Sequence, residues 1–124
     1  MQLHHELPDY AYSLRAASGR AATVNDKVLG HSFIVTPDTL VEHWPVTAAA
    51  GLQMDHLEAV LALNPALIVL GTGERQVFPP AQLMAACLSR GIGLEVMNNP
   101  AAARTFNILA AEGRRVAAAF ILEG

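Results

Sequence analysis

The chain carries a single cysteine, Cys87, so no intrachain disulfide can form. It has no apolar run approaching the roughly 18 residues of a membrane span. The start, Met1-Gln2-Leu3-His4-His5-Glu6, lacks the apolar core of a signal peptide, so a cytoplasmic, reducing compartment is expected. Positive charge is scarce: Lys and Arg number 8 against 11 Asp and Glu, for a formal net charge of -3. With Arg114-Arg115 as the densest basic step, the cationic surface that nucleic-acid binding needs is absent. Metal-site spacings are missing as well. The histidines (His4, His5, His31, His43, His56) are scattered, with neither an H-x-x-x-H pair nor a cysteine pair, and no metal or cofactor is expected. Ser13, Ser18, Ser32 and Ser89 lack a nucleophile-elbow context, and no catalytic residue is assigned.

What remains is an apolar, alanine-rich chain of 124 residues, 52% hydrophobic and 15% charged. That length and composition predict one domain over residues 1–124 with a packed core. Its first part is β-rich. Asn25-Asp26 suits a hairpin turn between Thr23 and Val28, and a strand over 28–35 follows, interrupted at Gly30. Thr36-Pro37-Asp38 reads as a turn and 39–44 as a third strand, closed by Pro45. From Gln53 onward helix and strand alternate. Asp55 and Glu58 have capping-box spacing ahead of the Leu57, Val60, Leu61 stripe. Residues 66–70 form a short buried strand, and Pro79-Pro80 opens a helix that ends near Gly91. A strand over 94–97 follows. Asn99 then caps a helix with Pro100 at its first position, and 115–122 returns as a strand. The prediction is a three-layer α/β domain: a mixed central sheet, a β-α-β-α-β C-terminal half and a β-hairpin-rich N-terminal part.

This topology forces a candidate site. If the strands ending at Leu70 and Met97 run parallel, their following loops meet at one carboxyl rim, where open α/β sheets bind ligands. Gly71, Thr72, Gly73 and Arg75 come from one loop; Asn98, Asn99 and Arg104 come from the other. Two helix N-termini with unpaired N–H groups would favour a small anion there. Nucleotide motifs fail, however. No G-x-x-x-x-G-K-[ST] occurs, and Gln76 stands where a G-x-G-x-x-G fingerprint needs its third glycine. The plainer expectation for the charges is structural: Glu95, on a strand taken as central, pairs with Arg104. Cys87 reads as a small core residue and Trp44 as a core anchor.

Four stretches occur in order: LGTGERQVFPP from Leu70, GIGLEVM from Gly91, AARTFNIL from Ala102 and EGRRVAAA from Glu112. In these the chain resembles the domain of unknown function number 498 proteins. That group includes uncharacterised bacterial proteins, an adipogenesis-associated Mth938-type domain protein and a mitochondrial complex I assembly factor. The resemblance covers about residues 20–122, which leaves 1–19 as an expected loosely ordered segment. Matching positions are Gly71, Thr72, Gly73, Phe78, Pro79, Glu95, Arg104, Thr105 and Asn107. Phe106 stands where many relatives have Tyr, and Asn98-Asn99 where an acidic or hydroxyl residue is common. The resemblance implies a three-layer α/β fold and no established enzyme activity. It also implies a non-enzymatic, assembly-factor-like domain that binds protein partners, with mitochondrial location only by analogy. The alternative is a small-anion or metabolite-binding domain using loops 71–78 and 98–104. A third reading is a homo-oligomer built on an exposed edge strand of the β-rich part.

Overall fold

The structure, a computed structural model, describes residues 10–123. His4-His5 and the start of the chain lie outside the described residues. Order begins earlier than the family resemblance suggests. β1 (Leu14–Ala17) falls inside the segment expected to be loose and pairs antiparallel with β2 (Ala22–Val24) across a turn closed by Ser18 and Ala21. The predicted hairpin follows: β2 pairs with β3 (Lys27–Leu29), Val24 opposite Lys27, and Asn25 takes φ 55° in the turn. Asn and Asp tolerate that left-handed conformation better than other side chains.

The strand expected over 28–35 is two strands in different sheets. β3 ends at Leu29, and β4 (Phe33–Val35) starts the central sheet after the break at Gly30 and His31. Gly30 therefore marks a crossing between sheets and not a bulge within one strand. The third strand is also shorter than expected. β5 covers only Leu40–Val41, and beyond it one further backbone bond, from the Trp44 N–H to the Ser32 carbonyl, continues the pairing.

Helix α1 (Met54–Leu61) starts one residue before the predicted box. Its N-cap is Gln53, which exchanges hydrogen bonds with His56, and Asp55 and Glu58 do not form the capping pair. Glu58 instead faces Arg90 at 3.4 Å in an exposed pair, a geometry that contributes little. β6 (Leu67–Gly71), α2 (Ala81–Ser89), β7 (Gly93–Met97), α3 (Asn99–Ala111) and β8 (Val116–Phe120) complete the chain.

The central sheet has the order β5-β4-β8-β6-β7. β6 is parallel to both β7 and β8, whereas β8 is antiparallel to β4, so the sheet is mixed. Period-2 alternation sends each strand's residues to two covered faces. Ile68, Leu70, Ala117 and Ala119 meet α1 and α2 through Leu57, Val60, Leu83 and Cys87. Burial raises the pKa of the Cys87 thiol, and the charge of Arg90 pulls the other way. Val69, Val116, Ala118 and Phe120 meet α3 and the β1-β2-β3 sheet through Ala102, Phe106, Leu14 and Val24. All five residues of β8 are buried. Its run of alanines keeps both helical layers close, and the Phe120 ring stacks on Phe33 at 4.9 Å. Full burial of a ring of that size stabilises by about 1.5–3 kcal/mol.

Candidate functional site

β6 and β7 lie side by side, yet the helices that follow them go to opposite faces: α2 to one, α3 to the other. Right-handed crossovers require this, because the chain moves outward from β6 to β7 and then back across β6 to β8. The carboxyl ends of β6 and β7 therefore flank a topological switch point, the place where α/β sheets accept ligands. The bends after Leu70 and Met97 are neighbours there. The Thr72 N–H donates to the Met97 carbonyl at 3.0 Å, and the Asn99 N–H donates to the Gly73 carbonyl at 2.8 Å. The rim assembles Gly71, Thr72, Gly73, Asn98 and Asn99 in contact.

This crevice is already filled, and Asn99 fills it. The side chain is fully buried. Its Oδ1 accepts from the Gly73 N–H at 3.1 Å, while Nδ2 donates to the carbonyls of Ser18 at 2.8 Å and Ile121 at 3.0 Å. One amide thus joins the β1–β2 turn, the loop after β6 and the end of β8. Gly71 carries no side chain because a Cβ there would run into Asn99 Oδ1, Phe120 and Ala102. Gly73 adopts φ 109°, a conformation that L side chains avoid.

The helix-terminus donors expected to bind an anion are also occupied. Asn98, not Asn99, is the N-cap of α3: its side chain accepts from the Ala101 N–H at 2.9 Å, and its carbonyl accepts from Ala102. Asn99 is the first helical residue. Pro100 comes second and has no N–H to offer. The N–H groups of Asn99, Ala101 and Ala102 therefore all point at protein acceptors.

The outer part of the first loop is tied down as well. Thr72 Oγ1 donates to the Arg75 carbonyl at 2.6 Å and accepts from the Val77 N–H at 3.0 Å. Gln76 Nε2 donates to the Val96 carbonyl at 2.9 Å. With these polar groups satisfied, the loop presents Val77 at 39% and Phe78 at 60% exposure.

The charged residues stand apart from this cluster. β7 is an edge strand, not a central one, so Glu95 is exposed rather than buried and needs no partner. Arg104 and Arg75 are exposed too, and no Glu95–Arg104 ion pair forms among the described residues. At the opposite, amino end of β6 and β8 a groove of about 320 Å³ is lined by residues that include Thr36, Asp38, Asn64, Arg114 and Arg115. There Arg115 Nε reaches the Asn64 carbonyl at 3.4 Å, so one of the two guanidinium groups answers a carbonyl just past a helix end.

Sequence reasoning missed two asparagine clamps. Asn107, buried only in part, accepts from the Leu14 N–H at 2.9 Å and donates to the Leu14 carbonyl at 2.7 Å. It mimics a neighbouring strand on the open edge of β1. For Asn99 a signal did exist: of two adjacent asparagines before a proline only one can cap, and the other must be used elsewhere.

A family model described as a protein of unknown function (DUF498/DUF598) matches residues 14–121. The chain belongs to this family. It is 29% identical over 92 residues to the 13 kDa major membrane protein of Francisella tularensis, covering 73% of this chain and 75% of that protein. It is 30% identical over 121 residues to NADH dehydrogenase [ubiquinone] 1 alpha subcomplex assembly factor 3 of Rattus norvegicus, covering 96% of this chain. The chain spans 64% of that assembly factor's length, less than two thirds. Among solved structures, a Xanthomonas campestris protein is 64% identical with a TM-score of 0.84, covering 98% of this chain and 92% of that one. A Mth938-like domain from Bordetella pertussis is 28% identical with a TM-score of 0.81, covering 100% and 94%. The DUF498/DUF598 fold is thus the mixed α/β architecture predicted from the sequence. Among the described residues no helix is long and apolar enough to cross a membrane.

Proposed function

We propose that this chain is a non-enzymatic, cytoplasmic protein-binding domain that acts as an assembly factor does, holding partner proteins through the loop after β6. The observation that carries the reading is the contrast within that loop. Thr72 and Gln76 spend their side chains on internal hydrogen bonds, yet the loop holds Phe78 at 60% exposure. Phe78 beside exposed Val77 gives a small apolar projection, and aromatic side chains of this kind can anchor a protein partner. Similarity to the rat assembly factor over 96% of this chain supports the same reading. Alanine substitutions through 74–78, followed by pull-down from the native lysate, test it. Phe78→Ala is expected to release the retained proteins while leaving the fold intact. Retention of the same proteins by every loop variant, or of none by the parent chain, would refute the reading.

Binding of a small anion by Arg75 and Arg104 is the weaker alternative, because the N–H groups of the α3 terminus already have partners. Thermal shifts with inorganic phosphate separate the two. A site occupied at a hundredfold excess over Kd would add about 2.7 kcal/mol of stability.

A further inference from the structure

At the start of β4, at the same end of the sheet as the rim but two strands along from β6, two imidazoles lie side by side at a tilt. His31 precedes β4 and His43 follows β5. Val35 pairs with Leu40 and Ile34 with Val41, and the Trp44 N–H extends the pairing to the Ser32 carbonyl at 2.9 Å. The ring centroids of His31 and His43 are 5.2 Å apart, with planes at 47°.

The backbone beneath both rings is anchored. Buried Ser32 Oγ accepts from the Leu122 N–H at 2.8 Å and donates to the Val46 carbonyl. Buried Trp44 donates Nε1–H to the His56 carbonyl at 3.0 Å. The rings themselves are exposed beside an open groove of about 420 Å³. Among the described residues neither ring is tied to a protein hydrogen-bond partner, whereas His56 spends Nδ1 on the Gln53 N–H.

We propose that His31 and His43 form a two-imidazole chelate for a borderline divalent transition-metal ion of the Zn²⁺, Ni²⁺ or Cu²⁺ class, with water completing its shell. The spacing fits. A metal about 2.0–2.1 Å from an imidazole nitrogen lies about 3.2 Å from that ring's centroid. With centroids 5.2 Å apart, two such arms can meet at a metal at about 110°, close to a tetrahedral angle, when rotation of the exposed rings turns one nitrogen of each toward it. Nitrogen donors select these ions over Mg²⁺ and Ca²⁺, which prefer oxygen. Among the described residues no cluster of three or more His, Cys, Asp or Glu surrounds a common point. The site is thus a two-ligand one with exchangeable positions left for water or a further donor. Spacing along the chain offers no hint of it, because only the β4–β5 ladder brings the two residues together.

Isothermal titration of the full chain with ZnCl₂ tests this, in a His4→Ala/His5→Ala background that removes the terminal pair. One ion per chain is expected. His31→Ala and His43→Ala should each weaken binding by about tenfold or more, as loss of one arm of a chelate does. His56→Ala should change nothing. No binding by the background chain, or equal affinity in the His31→Ala/His43→Ala double variant, would overturn the proposal. Cu²⁺ loading gives a second readout. Electron paramagnetic resonance should show two imidazole nitrogens that fall to one in either single variant, and an unchanged spectrum would contradict the assignment.

Discussion

The two faces of the central sheet are held by different chemistry. On the α1/α2 side the contacts are apolar, with Leu57, Val60, Leu83 and Cys87 against Ile68, Leu70 and Ala119. The polar exceptions there are the Trp44 indole donating to the His56 carbonyl and the Ser32 hydroxyl held between Leu122 and Val46. On the α3 side, asparagine amides cross between segments: Asn99 to Ser18, Gly73 and Ile121, and Asn107 to Leu14. The difference follows from topology. The β1-β2-β3 sheet shares no ladder with the five-stranded sheet, and backbone bonds to it are isolated ones, such as the Glu123 N–H to the Gly19 carbonyl. Apolar packing alone is tolerant of sliding. Directional bonds from α3 supply the register that the ladder does not.

Four substitutions break or sharpen this comparison. The largest effect belongs to Asn99→Asp. A carboxylate cannot donate to the Ser18 and Ile121 carbonyls and would be buried beside them. Urea unfolding should show a loss of about 3–5 kcal/mol, and a loss near zero would mean that the α3 face needs no clamp. Gly71→Ala comes next, since its Cβ meets Asn99, Phe120 and Ala102. An over-packed site of this kind loses about 1–3 kcal/mol by the same assay. Asn107→Ala should cost about 1–2 kcal/mol and accelerate amide exchange at Leu14, with β6 amides little changed. On the opposite face, Leu83→Met keeps volume and disturbs no directional bond, so about 1 kcal/mol or less is expected. A Leu83→Met cost matching that of Asn99→Asp would erase the distinction between the faces.

Much of the architecture was legible in the sequence because short-range rules determine it. The Asn25-Asp26 turn, the apolar run into Gly71, and the proline at the start and glycine at the end of α2 each have a local cause. The parallel β6–β7 pairing, and with it the shared rim, followed from crossover handedness. What failed depended on partners far along the chain. Glu95 read as buried because alternation cannot tell an edge strand from a central one, and β7 proved to be an edge. The break at Gly30 separates two sheets, and no residue near it announces which sheet Phe33 joins. Asn99 read as a cap because the start of a helix is uncertain by a residue from sequence alone. That single-residue shift turned an apparent anion notch into a filled junction. Asn107 and the His31–His43 pair were invisible for the same reason, since their partners are set by the tertiary fold.

Asn99 closes the space between the strand ends, and amide hydrogen exchange at Gly73 reads this closure most directly. That N–H sits in a loop and would exchange freely if the crevice were open. Held by Asn99 Oδ1 at 3.1 Å, it should exchange as slowly as the β6 ladder amides and lose that protection in Asn99→Ala, which removes the acceptor. Free exchange of Gly73 in the parent chain, or protection that appears only on adding phosphate, would contradict the closed crevice.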